Sequence, residues 1–169
     1  MRRQILAFAM LLTCTSAACA QSLQFDMTGE IVQGTCDWSV GDSDKKVLLD
    51  PTSVTVFPAT GAVGYKSFSL TLQNCTPGLR GATFVFSGTS DANDALRFAN
   101  AGTAGGVAVQ LESADGSTIA ADGSSSSRTV PVVSGTATID LRAAYWRIAA
   151  RPLTGGTVSS VALVSLSYN

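Results

Sequence analysis

The sequence contains no histidine, and only 14% of its 169 residues are charged, for a net charge of −1. Without imidazole the chain lacks the commonest general base, proton shuttle and metal ligand. The few Lys and Arg form no basic stripe, so nucleic acid is excluded as a partner. Long hydrophobic runs are also missing. None reaches the ~18 apolar residues that a membrane-spanning helix needs. Cysteine is scarce, with four in all, of which Cys14 and Cys19 fall in the first 20 residues.

What is present at the N-terminus is an export signal. Met1-Arg2-Arg3 is a basic start, Ile5 to Leu12 is apolar, and small residues lead to Ala18-Cys19-Ala20. This pattern predicts a secretory leader over residues 1–20, with cleavage after Ala20 and a mature start at Gln21. The alternative is a lipidated N-terminus at Cys19, although Ser16 stands where a branched apolar residue is usual. Cys36 and Cys75 then remain as an even pair in an exported chain, which predicts a disulfide. It would close a loop of about 40 residues, worth roughly 4 kcal/mol in the chain-entropy model. A metal or redox site is the other option for two cysteines, but their spacing is far from C-x-x-C.

Downstream, short alternating segments dominate. Tyr65 to Leu72 sets Phe68, Leu70 and Leu72 against Ser67, Ser69 and Thr71. Ala82 to Phe86, Val107 to Leu111, Thr136 to Trp146 and Thr157 to Tyr168 read as further strands. In the fourth of these, Ile139, Leu141, Ala143 and Tyr145 oppose Asp140, Arg142 and Ala144. Gly88 to Asp94, Ala101 to Gly106 and Asp122 to Arg128 are loops by composition. The run Gly123 to Ser127 reads as a surface loop rather than a domain boundary. No internal repeat or amphipathic helix stands out, and the pattern predicts a single β-sandwich domain.

The segment Ser22 to Val32 also alternates. Leu23, Phe25, Met27, Gly29 and Ile31 share one face, and Gln24, Asp26, Thr28 and Glu30 share the other. By itself this reads as the first strand of the sandwich. Gly29 points elsewhere: a glycine on the apolar face weakens a strand unless something must approach closely there.

In order and spacing, these pieces resemble the structural subunits of type 1 fimbriae assembled by the chaperone–usher pathway. The resemblance rests first on Gly29-Glu30-Ile31-Val32 with Cys36 seven residues beyond the glycine, and on Phe68-Ser69-Leu70-Thr71-Leu72-Gln73-Asn74-Cys75. It continues through Val107 to Leu111 with Asp115-Gly116, and Leu141-Arg142-Ala143-Ala144-Tyr145. It ends on Gly155-Gly156-Thr157-Val158 leading into Ala162 to Asn169, with tyrosine second from the end.

The resemblance implies an all-β fold, an incomplete immunoglobulin-like β-sandwich completed by a donor strand from a neighbouring subunit. The implied organisation is a signal peptide at 1–20, a donor extension at 21–33 and a pilin domain at 34–169. Leu23, Phe25, Met27, Gly29 and Ile31 would be the donor residues. Ala162, Val164, Leu166, Tyr168 and Asn169 would form the acceptor and chaperone-binding edge, with Ala162, Val164 and Leu166 facing the core. Chaperone–pilin donor-strand complementation is itself a standard instance of β-strand addition. The implied partners are neighbouring subunits, a periplasmic chaperone and an outer-membrane usher, and the implied location is a cell-surface fimbria that mediates adhesion. Phe25 and Met27 are larger than the Val or Ile usual at such positions and imply a roomier groove. Trp38 is also unusual and reads as a core or chaperone-face residue.

No cofactor, metal site, small-molecule substrate or catalytic residue is predicted. Asp42, Asp44 and Asp50 with Lys45 and Lys46 read as a solvated loop rather than a carboxylate pair, as do Asp91 and Asp94. Two other functions stay open. One is an adaptor or tip-associated adhesin, against which the donor-like segment argues. The other is a free-standing secreted sandwich whose first strand pairs within its own chain.

Overall fold

The computed structural model describes residues 34–149 and 151–169; apart from one short 3-10 turn at Val54–Val56, its regular structure is β. In chain order the strands are β1 (Asp37–Trp38), β2 (Gly61–Gln73), β3 (Gly81–Gly88), β4 (Ser90–Asp91) and β5 (Asp94–Phe98). They continue as β6 (Val107–Ser113), β7 (Thr118–Ile119), β8 (Ser127–Pro131), β9 (Ala137–Arg147) and β10 (Ala162–Tyr168). All pairings are antiparallel. A large sheet runs β1-β2-β9-β6-β5-β4, with β7 added to β6, and a small sheet runs β10-β3-β8.

The alternation seen in the sequence becomes the core because a strand turns every second side chain to one face. Across β2 and β9, Phe68 pairs with Leu141, Leu70 with Ile139 and Leu72 with Ala137; Leu111 of β6 pairs with Ala143. The small sheet answers with Ala82, Phe84 and Phe86 from β3. Burying each large side chain contributes about 1.5–3 kcal/mol. β2 carries a bulge between Val63 and Lys66. There Gly64 has φ +70, and a Cβ at that position would sit 3.2 Å from the Tyr145 ring. Both the backbone conformation and the close ring call for glycine.

Cys36 and Cys75 are joined, with S–S 2.08 Å. The bond ties the chain just before β1 to the residues following β2. Trp38 packs on the core and meets Phe84 edge-on at 6.0 Å between ring centroids, so its role is internal packing.

Several local expectations change. The predicted loop Gly88 to Asp94 contains β4 and the start of β5. Asp91 is buried rather than solvated, and its carboxylate accepts the Asn93 N–H at 2.8 Å, which makes the turn. Asp94 lies 3.8 Å from Arg97. The predicted loop Asp122 to Arg128 ends inside β8, whose Thr129 hydroxyl meets Thr83 across the pair at 2.7 Å. Hydroxyl-rich composition hid this strand, because serine and threonine satisfy turns and sheet edges equally well.

Asp42 is not a solvated loop residue. Its carboxylate is largely buried, accepts the Thr71 N–H at 2.8 Å and meets Lys45 Nζ at 2.7 Å. Burial pushes this carboxyl upward, but the bonds from Lys45 and Thr71, with the Lys45 charge, hold it below its ordinary value. Asp50 does stay in the exposed layer, paired with Lys66 at 3.2 Å. Nor is the outward side of β9 uniformly wet. Ala144 is buried, Glu112 pairs with Arg142, and the Arg97 guanidinium lies 3.7 Å over the Trp146 ring.

Candidate functional site

A strand in the middle of a sheet has both rows of backbone N–H and C=O paired; a strand at the edge has only one. β10 is such an edge. Its seven residues pair with β3 from Ala162↔Gly88 to Tyr168↔Ala82, and its other side has no ladder partner among the described residues. The sequence Ala-Leu-Val-Ser-Leu-Ser-Tyr carries no charge and no proline, and the pairing has no register shift. Those are the usual devices that stop an edge from pairing with another chain, and β10 lacks all three.

The side chains show the same incompleteness. Val164, Leu166 and Tyr168 turn toward the core and pack on it, yet each is only half-buried. Their cross-strand partners Phe86, Phe84 and Ala82 are at 2%, 0% and 0% exposure. Ala162 continues the inward alternation but is exposed, which departs from the core position expected of it. On the other face Leu163 is 65% exposed, and Val161, just ahead of the strand, is 68% exposed. Phe68 and Val109, on the core-facing rows of the large sheet, are likewise only partly covered.

The far end of β10 is tied down. Asn169 N–H donates to Gly81 O at 3.1 Å, and Asn169 O accepts from Arg80 N–H at 2.8 Å and Gly81 N–H at 3.2 Å. Tyr168 Oη reaches Cys36 O at 3.4 Å, linking the edge to the disulfide region. Near the other end lies a mixed-polarity hollow of about 180 Å³. Val54, Phe57, Val107, Tyr145, Leu153 and Val158 line it, so it lies between the 3-10 turn and the chain leading into β10. The Tyr145 hydroxyl donates to Asp50 O at 3.2 Å, and burial, then the Asp50 charge, pushes its phenol upward.

A shallow hollow of about 410 Å³ on the large sheet is lined by Ser67, Ser69, Asp140 and Arg142 with no nucleophile–base pair. Among the described residues, no group of three or more Cys, Asp or Glu is placed to hold a metal. The structure thus brings together Val164, Leu166, Tyr168 and Asn169 at one open edge. The expected donor residues Leu23, Phe25, Met27, Gly29 and Ile31 lie outside the described residues, as does the leader. Sequence reasoning missed the lead-in to β10: the predicted strand Thr157 to Tyr168 is a ladder strand only from Ala162.

Comparison with known proteins points the same way. A family model described as "Fimbrial protein" matches residues 25–169. The S-fimbrial adhesin protein SfaS of Escherichia coli O6:K15:H31 is 30% identical over 97% of this chain and 96% of its own. A type-1 fimbrial protein subunit of Serratia marcescens is 27% identical over 99% of both. Among solved structures, the P pilus rod subunit PapA superposes with a TM-score of 0.65 at 19% identity, covering 79% of this chain and 99% of PapA, and this likeness bears on the fold alone. A Burkholderia pseudomallei antigen and type I fimbria protein matches at TM-score 0.59 and 28% identity, over 79% of this chain and 88% of its own.

Proposed function

The chain belongs to the fimbrial protein family, and from that premise we propose that it polymerises by accepting a neighbour's N-terminal strand along β10 and lending its own. It is a structural subunit of a chaperone–usher pilus with an immunoglobulin-like fold. The family is structural, and the reading is of a non-enzymatic building block carried at the cell surface. The observation that carries it is the β10 edge, uncharged and unpaired among the described residues, with half-buried core side chains beside it.

The physics is β-strand addition. An incoming strand supplies the missing row of ladder bonds, and its alternate side chains cover Val164, Leu166 and Phe68. The donor is the segment 21–33, with Leu23, Phe25, Met27, Gly29 and Ile31 on its apolar face. Its four large apolar side chains would contribute roughly 6–12 kcal/mol before ordering costs. Such a contact is head-to-tail and grows into an open filament. Before assembly a periplasmic chaperone covers the edge, and an outer-membrane usher exports the subunit. Removal of residues 1–20 frees the donor, and residues 34–169 form the pilin domain.

Deleting residues 21–32 tests this. The truncated subunit should still fold with its chaperone, while electron microscopy should show no fibres beyond it. If the deletion unfolds the chaperone-bound subunit, the segment is an internal strand and the free-standing sandwich is correct. A second reading is favoured by the whole-length match to a protein named as an adhesin. Here the chain would be a minor adhesive subunit that keeps its donor strand. Immunogold labelling separates the two, since a rod subunit decorates the whole fibre and a minor one only isolated points.

A further inference from the structure

Two stretches that look like plain connectors, Ala101 to Gly106 and Gly155 to Val158, are locked to each other. Asn100 stands at the centre. Its Oδ1 accepts from Gly102 N–H at 2.8 Å and from Ser159 N–H at 2.9 Å, while its Nδ2 donates to Ala104 O at 2.9 Å. Thr103 and Thr157 exchange bonds: Thr103 N–H donates to Thr157 Oγ1 at 3.1 Å, and Thr157 N–H donates to Thr103 Oγ1 at 2.9 Å. The backbones join as well, Ala101 N–H to Ser159 O at 2.8 Å and Ala104 N–H to Thr157 O at 3.0 Å. The approach is close enough to demand glycine. A Cβ on Gly102 would lie 2.1 Å from Thr157 O, and one on Gly156 would lie 2.5 Å from Ala104 N. Both are backbone atoms with no freedom to rotate away.

The placement of this clasp gives it a use. Residues 99–106 connect β5 to β6, which belong to the large sheet, whereas the chain leaving Ser159 becomes β10 of the small sheet. The clasp therefore bridges the two sheets at the point where the open edge begins, and Asn169 pins that edge at its end.

We propose that Asn100 is a positioning residue for strand acceptance, holding the entry of β10 so that its free edge stays extended and available. This rests on the reading of β10 as an acceptor. A strand with one neighbour opens locally at low cost, and affinity for an incoming strand scales with the fraction of time the edge is intact. Losing the Asn100 side chain leaves two N–H groups and one carbonyl without that partner, at the hinge where fraying would start.

The test uses the full chain, as wild type, Asn100→Ala and Asn100→Asp. A labelled peptide of residues 21–32 serves as probe in excess, with hydrogen exchange and urea unfolding measured alongside. Asn100→Ala should capture the peptide about tenfold more weakly, the drop expected when the entry of β10 is intact about a tenth of the time. Exchange should quicken at Leu163, Ser165 and Ser167 and at Thr83 and Val85, which pair across β10 and β3, and stay unchanged at Phe84 and Phe86, on the β3 row that faces β8. Asn100→Asp keeps both acceptor contacts but turns a carboxylate oxygen on Ala104 O, and should also capture the peptide more weakly than wild type. Capture equal to wild type, or exchange that rises equally at Phe84 and Phe86, overturns the proposal. If the wild type is monomeric and still fails to capture the peptide, the acceptor reading falls, and exchange at Leu163, Ser165 and Ser167 alone decides whether Asn100 pins β10. Fibres formed by the chain alone support the acceptor reading, because strands of other copies then fill the edge.

Discussion

β3 and β10 lie side by side, antiparallel, with seven residues of each in register. Both alternate apolar and small residues, and from composition alone they are close to interchangeable. Yet the inward side chains of β3 are sealed, while those of β10 are half open. The difference comes from neighbours. β3 has β10 on one side and β8 on the other, whereas β10 has β3 alone among the described residues. Apolar burial in a sheet needs cover from both flanks as well as from the facing layer, so removing one flank exposes alternate residues along the whole edge. A strand can therefore carry a core-type sequence and still be unfinished.

The largest expected effect probes the finished side. Phe84→Ala should destabilise the domain by about 4–5 kcal/mol, the upper part of the range for a fully enclosed ring, as read from urea unfolding. If it costs no more than an exposed residue, the sealed core under β3 is wrong. Removing the disulfide as Cys36→Ser with Cys75→Ser should cost roughly 4 kcal/mol in the same assay, because a long loop is freed in the unfolded chain. The unfinished side should respond less. Leu166→Ala should cost about 1–2 kcal/mol in the chain alone, since its side chain is already partly in water. With the 21–32 peptide bound that cost should rise toward the Phe84 value. An equal loss with and without peptide would show that the edge is not where the strand adds.

The smallest effect lies away from both strands. Because the Asp42 carboxyl is lowered in the fold, its stabilisation is present above the ordinary value of 3.8 and fades as pH drops through the lower folded value. Asp42→Asn should cost about 1 kcal/mol at neutral pH, and its deficit against wild type should shrink below that pH. A deficit that stays constant into acid would mean that the Lys45 and Thr71 contacts do not stabilise the charged form.

Much of this was legible before any coordinates. Phe68-Ser69-Leu70-Thr71-Leu72 and Ile139-Asp140-Leu141-Arg142-Ala143 alternate strictly, and a period of two can only be a strand with one buried side. Past the apolar N-terminal run, Cys36 and Cys75 have only each other to pair with. β8 was harder to see, since Ser127 to Pro131 has little apolar content and gains its place by pairing with β3. Asp91 and Asp42 looked solvated because sequence shows charge but not the backbone N–H groups, Asn93 and Thr71, that fold around to meet it.

The sequence by itself determined the local facts: which residues are extended, which face is apolar, and that Cys36 and Cys75 are candidates to pair. These depend on neighbours along the chain or on composition. Only the tertiary structure decided which strand is left at an edge, because strand order is set by long-range pairing that no local pattern records. It alone joined Asn100 to Ser159 and Thr103 to Thr157 across more than fifty positions. And it alone showed Val164 and Leu166 half-buried, since exposure depends on which strands lie alongside rather than on the residues themselves.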